Sequence, residues 1–225
     1  MKKIVFLILV SLAGIFFSKC TKDLRFDESN ARLMVVNTVP GAPSIEAFLD
    51  NTILHVDPMK YLANTYYRNV ISGKRNFKIR ENGNLVVDTN FVFDREQTYS
   101  VFVYKENSTT KILLLKDDIK IDENGLTRYR FLNFSPNAGT VNVYLKDSST
   151  AFISNLALGA PQNFSSFTPL EFQISLQDSA TSNLIFTSQP IDFKAGKILT
   201  LFVKGIKGVT NDDSLGIHTL PNYLF

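Results

Sequence analysis

Few side chains in this sequence could take part in catalysis. The chain contains one cysteine, Cys20, and two histidines, His55 and His218. A nucleophilic cysteine or serine needs a base, usually histidine, to accept its proton. Cys20 is expected to carry lipid, as argued below, and no Gly-x-Ser-x-Gly elbow is present. Residue counts alone leave a serine, histidine and aspartate triad open, but the pattern as a whole predicts a protein that is not an enzyme.

Adjacent acidic residues occur at three places in the sequence. Their functional interpretation is a calcium site, because calcium prefers several oxygen ligands at loop spacing. However, the Asp-x-Asp-x-Asn-Gly run of an EF-hand loop is absent, and the pairs lie where linkers and tails are expected. We therefore predict solvated surface charge, with no metal and no other cofactor. The pairs are Asp117 with Asp118, Asp122 with Glu123, and Asp212 with Asp213.

Aromatic side chains give the sequence its best candidate binding surface. Phe48 and Tyr144 stand at equivalent positions of an internal repeat, and Tyr66 and Tyr67 add to the first copy, close to Tyr61. Exposed aromatics supply a large contact area with a polar handle, which suits sugar rings or a partner protein. The alternative is that a crossing loop, the other domain or the lipid-proximal segment covers Phe48 and Tyr144. The absence of tryptophan weakens the carbohydrate interpretation.

The N-terminus has the pattern of an export signal. Lys2 and Lys3 precede an apolar run over residues 4–17, which is shorter than the roughly 20 residues that a membrane-spanning helix needs. Cys20 follows at the position that receives diacylglycerol in bacterial lipoproteins, which these residues resemble, although Lys19 departs from the usual small residue. The resemblance implies a signal peptide over 1–19, a lipid-proximal tether over 20–30, and a lipid-anchored protein of the outer membrane. A plain signal peptide with an incidental thiol, or an uncleaved anchor, is the alternative.

The charge of the chain argues against nucleic acid as a partner. The net charge is +3, but three of the 24 basic residues and none of the 21 acidic ones lie in residues 1–19. The remainder is therefore neutral, whereas a protein that binds phosphates presents a basic face. The expected partners are the membrane, through the lipid anchor, and a protein or a glycan.

An internal repeat organises the rest of the chain. Its blocks keep their order while their offset changes slightly at loops, which is typical of duplicated domains. We predict a first domain over 31–122, a second over 126–207, and a tail over 208–225 that packs on the second domain. The clearest matches are Arg32 with Arg128, Asn37 with Asn133, Pro40 with Pro136, Phe48 with Tyr144, Phe77 with Phe172, Phe93 with Phe193, and Val101 to Val103 with Leu201 to Val203.

Each copy reads as a series of short strands. β-Branched and aromatic runs of four to eight residues are separated by Gly, Asn, Asp, Ser and Pro, and Asn82-Gly83 is typical of a type I′ hairpin turn. Alternation predicts that Ile45, Ala47 and Leu49 face a core while Phe48 faces outward. The predicted fold class is all-β, with two tandem immunoglobulin-like or transthyretin-like β-sandwich domains.

The block from Arg32 to Asp50 resembles the opening of a bacterial domain of unknown function. In that family a hydrophobic strand is followed by Asn or His, a Pro, a small loop with a second Pro, and an alternating strand that ends in Asp. Here these positions are Asn37, Pro40, Pro43 and Asp50, whereas the second copy lacks a counterpart of Pro43 and has Lys146 in place of the Asp. The family recurs, often in tandem, in secreted and lipid-anchored proteins, notably of the Bacteroidetes. The resemblance implies an extracytoplasmic module for interaction or structure.

Two functional hypotheses follow from the sequence. The first is a non-enzymatic, lipid-anchored cell-envelope protein that acts as an interaction, adhesion or spacer module. The second is a glycan-binding accessory lipoprotein of a nutrient-uptake system, which the outward aromatics motivate. The repeated Asn37 and Asn133 are expected to cap turns, since Asn at a strand end commonly bonds nearby backbone groups.

Overall fold

The computed structural model describes residues 30–41 and 44–223, and Cys20 with the signal segment lies outside them. Every regular element in the described part of the chain is a β-strand, so the predicted all-β, sandwich-type fold is confirmed. The described residues contain no helix that is long and apolar enough to span a membrane. The first half means residues 30–41 and 44–122, which contain β1 to β8, and the second half means residues 126–223, which contain β9 to β18.

The first half forms two four-stranded sheets. Sheet 1 has the order β4-β1-β7-β8 and sheet 2 the order β3-β2-β5-β6. The predicted turn at Asn82-Gly83 joins β5 to β6, and both residues have positive φ, 50° and 82°. The strands are β1 (Asn30–Asn37), β2 (Ile45–Leu49), β3 (Thr52–Ile53), β4 (Arg68–Ile71), β5 (Gly73–Glu81), β6 (Asn84–Phe93), β7 (Thr98–Glu106) and β8 (Thr109–Lys116).

The second half forms two further four-stranded sheets and one small sheet. Sheet 3 has the order β12-β9-β17-β18, sheet 4 the order β11-β10-β14-β15, and β13 pairs with β16. The strands are β9 (Thr127–Asn133), β10 (Val141–Leu145), β11 (Ile153–Leu156), β12 (Ser165–Phe167), β13 (Leu170–Phe172), β14 (Ile174–Asp178), β15 (Leu184–Thr187), β16 (Ile191–Phe193), β17 (Ile198–Lys204) and β18 (Gly216–Pro221).

The first and penultimate strands of each half are paired in parallel. β1 lies beside β7 and β9 lies beside β17, while the other pairs among the named strands are antiparallel. Strand β18, within the predicted tail, extends sheet 3 by pairing with β17 from Leu199 to Lys204. The last strand therefore lies at an edge of the sheet that faces the first half.

A hydrophobic layer fills each half. Between sheets 1 and 2, the buried residues include Ile45, Ala47 and Leu49, the inward face that alternation predicts. Between sheets 3 and 4, Val141 and Val143 are fully buried and Leu145 is half-buried. Alternation also leaves Phe48 and Tyr144 on the opposite faces of their strands, each half-buried.

A third hydrophobic layer joins the two halves. Residues of β1 alternate between layers, because Leu33 and Val35 face sheet 2 whereas Met34 and Val36 face sheet 3. The rings of Phe102, Phe134 and Phe202 meet in this third layer, with centroids 5.0 to 6.1 Å apart. Each fully buried Phe stabilises the packing by about 1.5–3 kcal/mol. The four main sheets therefore form a stack in which sheets 1 and 3 are buried on both faces.

Candidate binding surfaces at the junction

Two buried asparagines hold the loops beside the junction. Asn37 Nδ2 donates to Met59 O at 3.0 Å, and its Oδ1 accepts from Val39 N. Asn133 does the same in the second half, since Nδ2 donates to Gly139 O at 2.9 Å and Oδ1 accepts from Ser135 N. Each side chain satisfies backbone groups where its strand ends, which is the expected capping role.

A closed ring of hydrogen bonds crosses the third layer. Tyr67 donates its hydroxyl to Asp117 at 2.6 Å, and Arg130 donates Nη1 to the other oxygen of Asp117 at 2.6 Å. Arg130 Nε donates to Thr200 at 2.9 Å, Thr200 donates to Asn222 at 2.6 Å, and Asn222 donates back to Tyr67 at 2.8 Å. We call these five residues, with Ser100, which also donates to Asp117, the interlock.

The interlock is buried and joins both halves. Tyr67, Ser100 and Asp117 belong to the first half, and the remaining members belong to the second. The Asp117 and Arg130 side chains are both 0% exposed. Losing one partner of such an ion pair leaves an uncompensated buried charge. The polar ring therefore links sheet 1 to sheet 3 by hydrogen bonds, in addition to the apolar contacts around it.

Aromatic rings enclose the Arg130 guanidinium. Its Cζ lies 4.5 Å from the centroid of Phe164 and 5.5 Å from that of Phe102, both within cation–π range. Arg130 Nη2 has no hydrogen-bond partner within the described structure. Burial, reinforced by the charge of Asp117, raises the pKa of the Tyr67 hydroxyl. Tyr67 therefore stays protonated, which its bond to Asp117 requires.

A cleft of about 770 Å³ opens where loops of the two halves meet. Gly41 N donates to Asp213 Oδ1 at 2.9 Å across this junction. Burial and the negative charge of Asp213 raise the pKa of the Tyr61 hydroxyl. We call this the carboxylate cleft, and it is lined by Ser44, Asp57, Pro58, Lys60, Tyr61, Asn211, Asp212 and Asp213.

A second groove, of about 290 Å³, lies along the same junction. Tyr66 is 60% exposed and Tyr223 is 47% exposed at this groove. The centroid of the His218 ring lies 5.0 Å from that of the Phe202 ring. Burial and the charge of Lys204 lower the pKa of His218, so its ring is neutral near pH 7. We call this the tyrosine groove, and it is lined by Met34, Leu62, Asn64, Tyr66, Tyr67, His218, Thr219, Leu220, Pro221 and Tyr223.

The aromatic residues that the sequence singles out fall into separate places. Tyr66 and Tyr67 meet at the tyrosine groove, although the Tyr67 hydroxyl also serves the interlock. Phe48 lies on the outer face of sheet 2, where Arg80 Cζ is 5.2 Å from its ring centroid. Tyr144 lies on the outer face of sheet 4, in β10. Cys20 is outside the described residues.

The two histidines and the three acidic pairs do not come together in one site within the described residues. His55 Nε2 accepts from Ala47 N at 2.9 Å, and its Nδ1 lies 2.7 Å from Asp57 O, so this ring closes a turn. Asp117 is buried in the interlock, whereas the neighbouring Asp118 forms a surface ion pair with Arg128 at 2.9 Å. No group of three or more His, Cys, Asp or Glu side chains suited to a metal occurs within residues 30–41 and 44–223.

The position of Asp117 differs from the sequence-based expectation for the acidic pairs. The sequence predicts solvated surface charge at Asp117, but the residue is buried against Arg130. The internal repeat could have indicated the buried ion pair. Arg130 stands 96 residues after Met34, an apolar residue of the third layer. A charged residue in place of a buried methionine indicates a buried partner. Nothing local in the sequence indicates Asn222 or Thr200.

The fold and its junction define an all-β protein of stacked sheets with clefts where the halves meet. Residues 31–144 match a family described as a domain of unknown function, DUF4397, and the chain belongs to this family. The matched segment extends from β1 into β10, past the boundary that the sequence predicts between the domains. No curated protein matches the chain.

Two solved structures are similar over most of their length. One, described as alpha-glucan binding by a streptococcal virulence factor, shares 12% identity over 87% of this chain and 99% of its own, with a TM-score of 0.28. The other, a candidate adhesin from Bacteroides ovatus, shares 9% identity over 85% of this chain and 95% of its own, with a TM-score of 0.22. At these scores the likeness is a distant one.

Proposed function

We propose that this chain is a non-enzymatic cell-envelope protein that acts as an interaction module. Residues 1–19 act as a signal peptide, Cys20 is acylated, and the lipid holds the protein at the outer membrane. The observation that carries the proposal is the junction: the interlock and the third hydrophobic layer fix the two halves against each other, and both clefts open along that seam.

The pairing of strands supports two copies of one module within this body. The repeat aligns Val35 with Phe131 and Val101 with Leu201. The structure pairs Val35 with Val101 in the first half and Phe131 with Leu201 in the second. Equivalent residues are therefore partners in equivalent parallel pairs, as duplication of a module requires. In this proposal the copies extend over 31–122 and 126–207.

The position of the carboxylate cleft suits contact with a partner away from the membrane. The described chain begins at Asn30, and β1 runs eight residues, roughly 26 Å, before the loop that contains Gly41. Gly41 bonds to Asp213 at the cleft. The cleft therefore lies beyond the end of β1 opposite to Asn30, the last residue of the proposed tether. A rigid body with its cleft at that end acts as a spacer that presents a binding surface.

Site-specific photo-crosslinking in intact cells tests this proposal. A benzophenone amino acid replaces Tyr61 in the carboxylate cleft or, as the control, Lys146, which is exposed at the end of β10. We expect a discrete crosslinked adduct from position 61 and none from position 146. Equal adducts from both positions, or none from position 61, would contradict the proposal.

The anchoring part of the proposal has its own test. Wild-type protein grown with radiolabelled palmitate is expected to carry label and to fractionate with membranes. The Cys20→Ala variant is expected to lose both properties. A labelled Cys20→Ala protein, or an unlabelled wild type, would contradict lipid attachment at this residue.

A glycan-binding accessory of a nutrient-uptake system is the second candidate function. The tyrosine groove favours it, because tyrosine offers a flat apolar face together with a polar hydroxyl. Tyr66 and Tyr223 at the groove are both substantially exposed. In this variant of the proposal the rigid body holds a sugar chain beside the membrane for other proteins to import or cleave.

A further inference from the structure

The tyrosine groove is built from both halves of the protein. Leu62, Asn64 and Tyr66 come from the loop that precedes β4, while His218 and Thr219 come from β18. The interlock lies directly beneath, since Tyr67 belongs to both sites and Asn222 follows β18. The shape of the groove therefore depends on the fixed docking of sheet 1 on sheet 3.

The backbone beside the groove is held in a strained conformation. Leu62 and Tyr66 have φ values of 64° and 53°, in the left-handed region that large side chains rarely occupy. Tyr66 N donates to Asn64 Oδ1 at 2.8 Å, and Thr65 Oγ1 donates to Tyr66 O at 3.0 Å. Backbone strain of this kind costs about 1–3 kcal/mol per residue and clusters at ligand sites. These bonds support the loop conformation that places Tyr66 in the lining of the groove.

The groove differs from the carboxylate cleft in charge. Its lining contains no Lys, Arg, Asp or Glu among the described residues, whereas the cleft contains Lys60 and three aspartates. The burial that lowers the pKa of His218 keeps that ring uncharged as well. A ligand with a formal charge would lose hydration here and find no oppositely charged side chain in the lining. The groove therefore suits a neutral ligand.

The polar groups of the groove narrow the ligand class further. Asn64 offers the Nδ2 group of its amide, whose Oδ1 already accepts from Tyr66 N, while Thr219 offers a hydroxyl and His218 a ring nitrogen. These groups both donate and accept hydrogen bonds and stand beside flat apolar rings. A ligand that matches them needs hydroxyl groups at its edge and an apolar face.

We propose that the tyrosine groove binds a sugar ring of a neutral glycan, with the ring face on Tyr66 and its hydroxyls bonded to Asn64, His218 and Thr219. This inference rests on the proposed function as a binding module and deepens it by naming the ligand class. A proline-rich peptide is the other occupant that a tyrosine-lined groove accepts, and it forms one outcome of the test.

The experiment measures binding of neutral oligosaccharides to residues 21–225. A panel of gluco-, galacto- and manno-oligosaccharides is screened, and the tightest binder is titrated by calorimetry against wild type, Tyr66→Ala, Tyr66→Phe and Tyr144→Ala. The last is a matched Tyr→Ala control on the outer face of sheet 4. We expect at least a 10-fold loss for Tyr66→Ala, a smaller loss for Tyr66→Phe, which keeps the ring, and no change for Tyr144→Ala.

Three other outcomes would overturn the proposal that the tyrosine groove binds a neutral sugar. These outcomes are no binding to any neutral oligosaccharide, equal losses from Tyr66→Ala and Tyr144→Ala, or binding of a polyproline peptide in place of the sugars. Thr219→Val in β18 is tested as well, so that a misfolded Tyr66 variant, detected by its melting temperature, does not decide the result. Crosslinking from position 61 would persist if only the sugar assignment failed, and it would disappear if the proposed function failed.

Discussion

Neutralising Asp117 should destabilise the protein far more than neutralising its neighbour Asp118. Asp117 accepts hydrogen bonds from Tyr67, Ser100 and Arg130, and it and Arg130 have no exposed side-chain surface. Replacing Asp117 by Asn keeps the shape but leaves the guanidinium of Arg130 buried without a counter-charge. Breaking a buried ion pair in this way costs about 3–5 kcal/mol.

The expected change in melting temperature follows from the size of the chain. For proteins of 150–250 residues, each kcal/mol shifts Tm by roughly 2–4 °C, so Asp117→Asn should lower Tm by roughly 6–20 °C. The Asp118 side chain is 62% exposed in its ion pair with Arg128. An exposed pair contributes at most about 1 kcal/mol, so Asp118→Asn should shift Tm by no more than roughly 4 °C.

Scanning calorimetry of residues 21–225 measures both variants. A third variant, Asp117→Asn with Arg130→Met, removes both charges and places at position 130 the residue that stands at Met34 in the first half. It should be more stable than Asp117→Asn alone, because no unpaired buried charge is left. Equal Tm shifts for Asp117→Asn and Asp118→Asn would refute the interlock as the structure describes it.

Three further predictions concern the junction and its loops. The pKa of His218 is lowered in the folded state, so the unfolded chain binds the proton more tightly. The stability of the fold should therefore fall as pH drops below the ordinary value of 6.5. His218→Gln should make the Tm less dependent on pH between pH 5 and 7. Asn133→Ala leaves buried backbone groups without partners and should cost about 1–3 kcal/mol in urea unfolding, so an unchanged midpoint would contradict its capping role. Gly205→Ala would place Cβ 2.1 Å from Ser214 O, whereas Gly208→Ala meets open space at a similarly positive φ. The Gly205→Ala variant should therefore melt well below the Gly208→Ala variant. Equal melting temperatures would rule out the clash.

Much of the strand pattern could be predicted from the sequence. Alternation in β2 gave the core face of Ile45, Ala47 and Leu49, and Asn82-Gly83 gave the hairpin turn. These features depend on residues that are close in the chain, where side-chain spacing and turn chemistry determine the local structure.

The packing of the halves was harder to predict. Strands buried on both faces read as continuous apolar runs, and β1 and β7 contain such runs, Leu33 to Val36 and Val101 to Val103. These runs indicate that each strand is buried on both faces, but they do not identify the element that covers the second face. The interlock depends on Asp117 and Asn222, which lie far apart in the chain, and the tyrosine groove appears only once β18 is placed beside β17.

We propose that this protein binds its partners along the junction and not on the outer faces of sheets 2 and 4. Crosslinking in intact cells from four positions in parallel measures this most directly: Tyr61 and Tyr66 at the junction, and Phe48 and Tyr144 on the outer faces. We expect adducts from the two junction positions and none from the outer faces. Adducts confined to Phe48 and Tyr144 would contradict it.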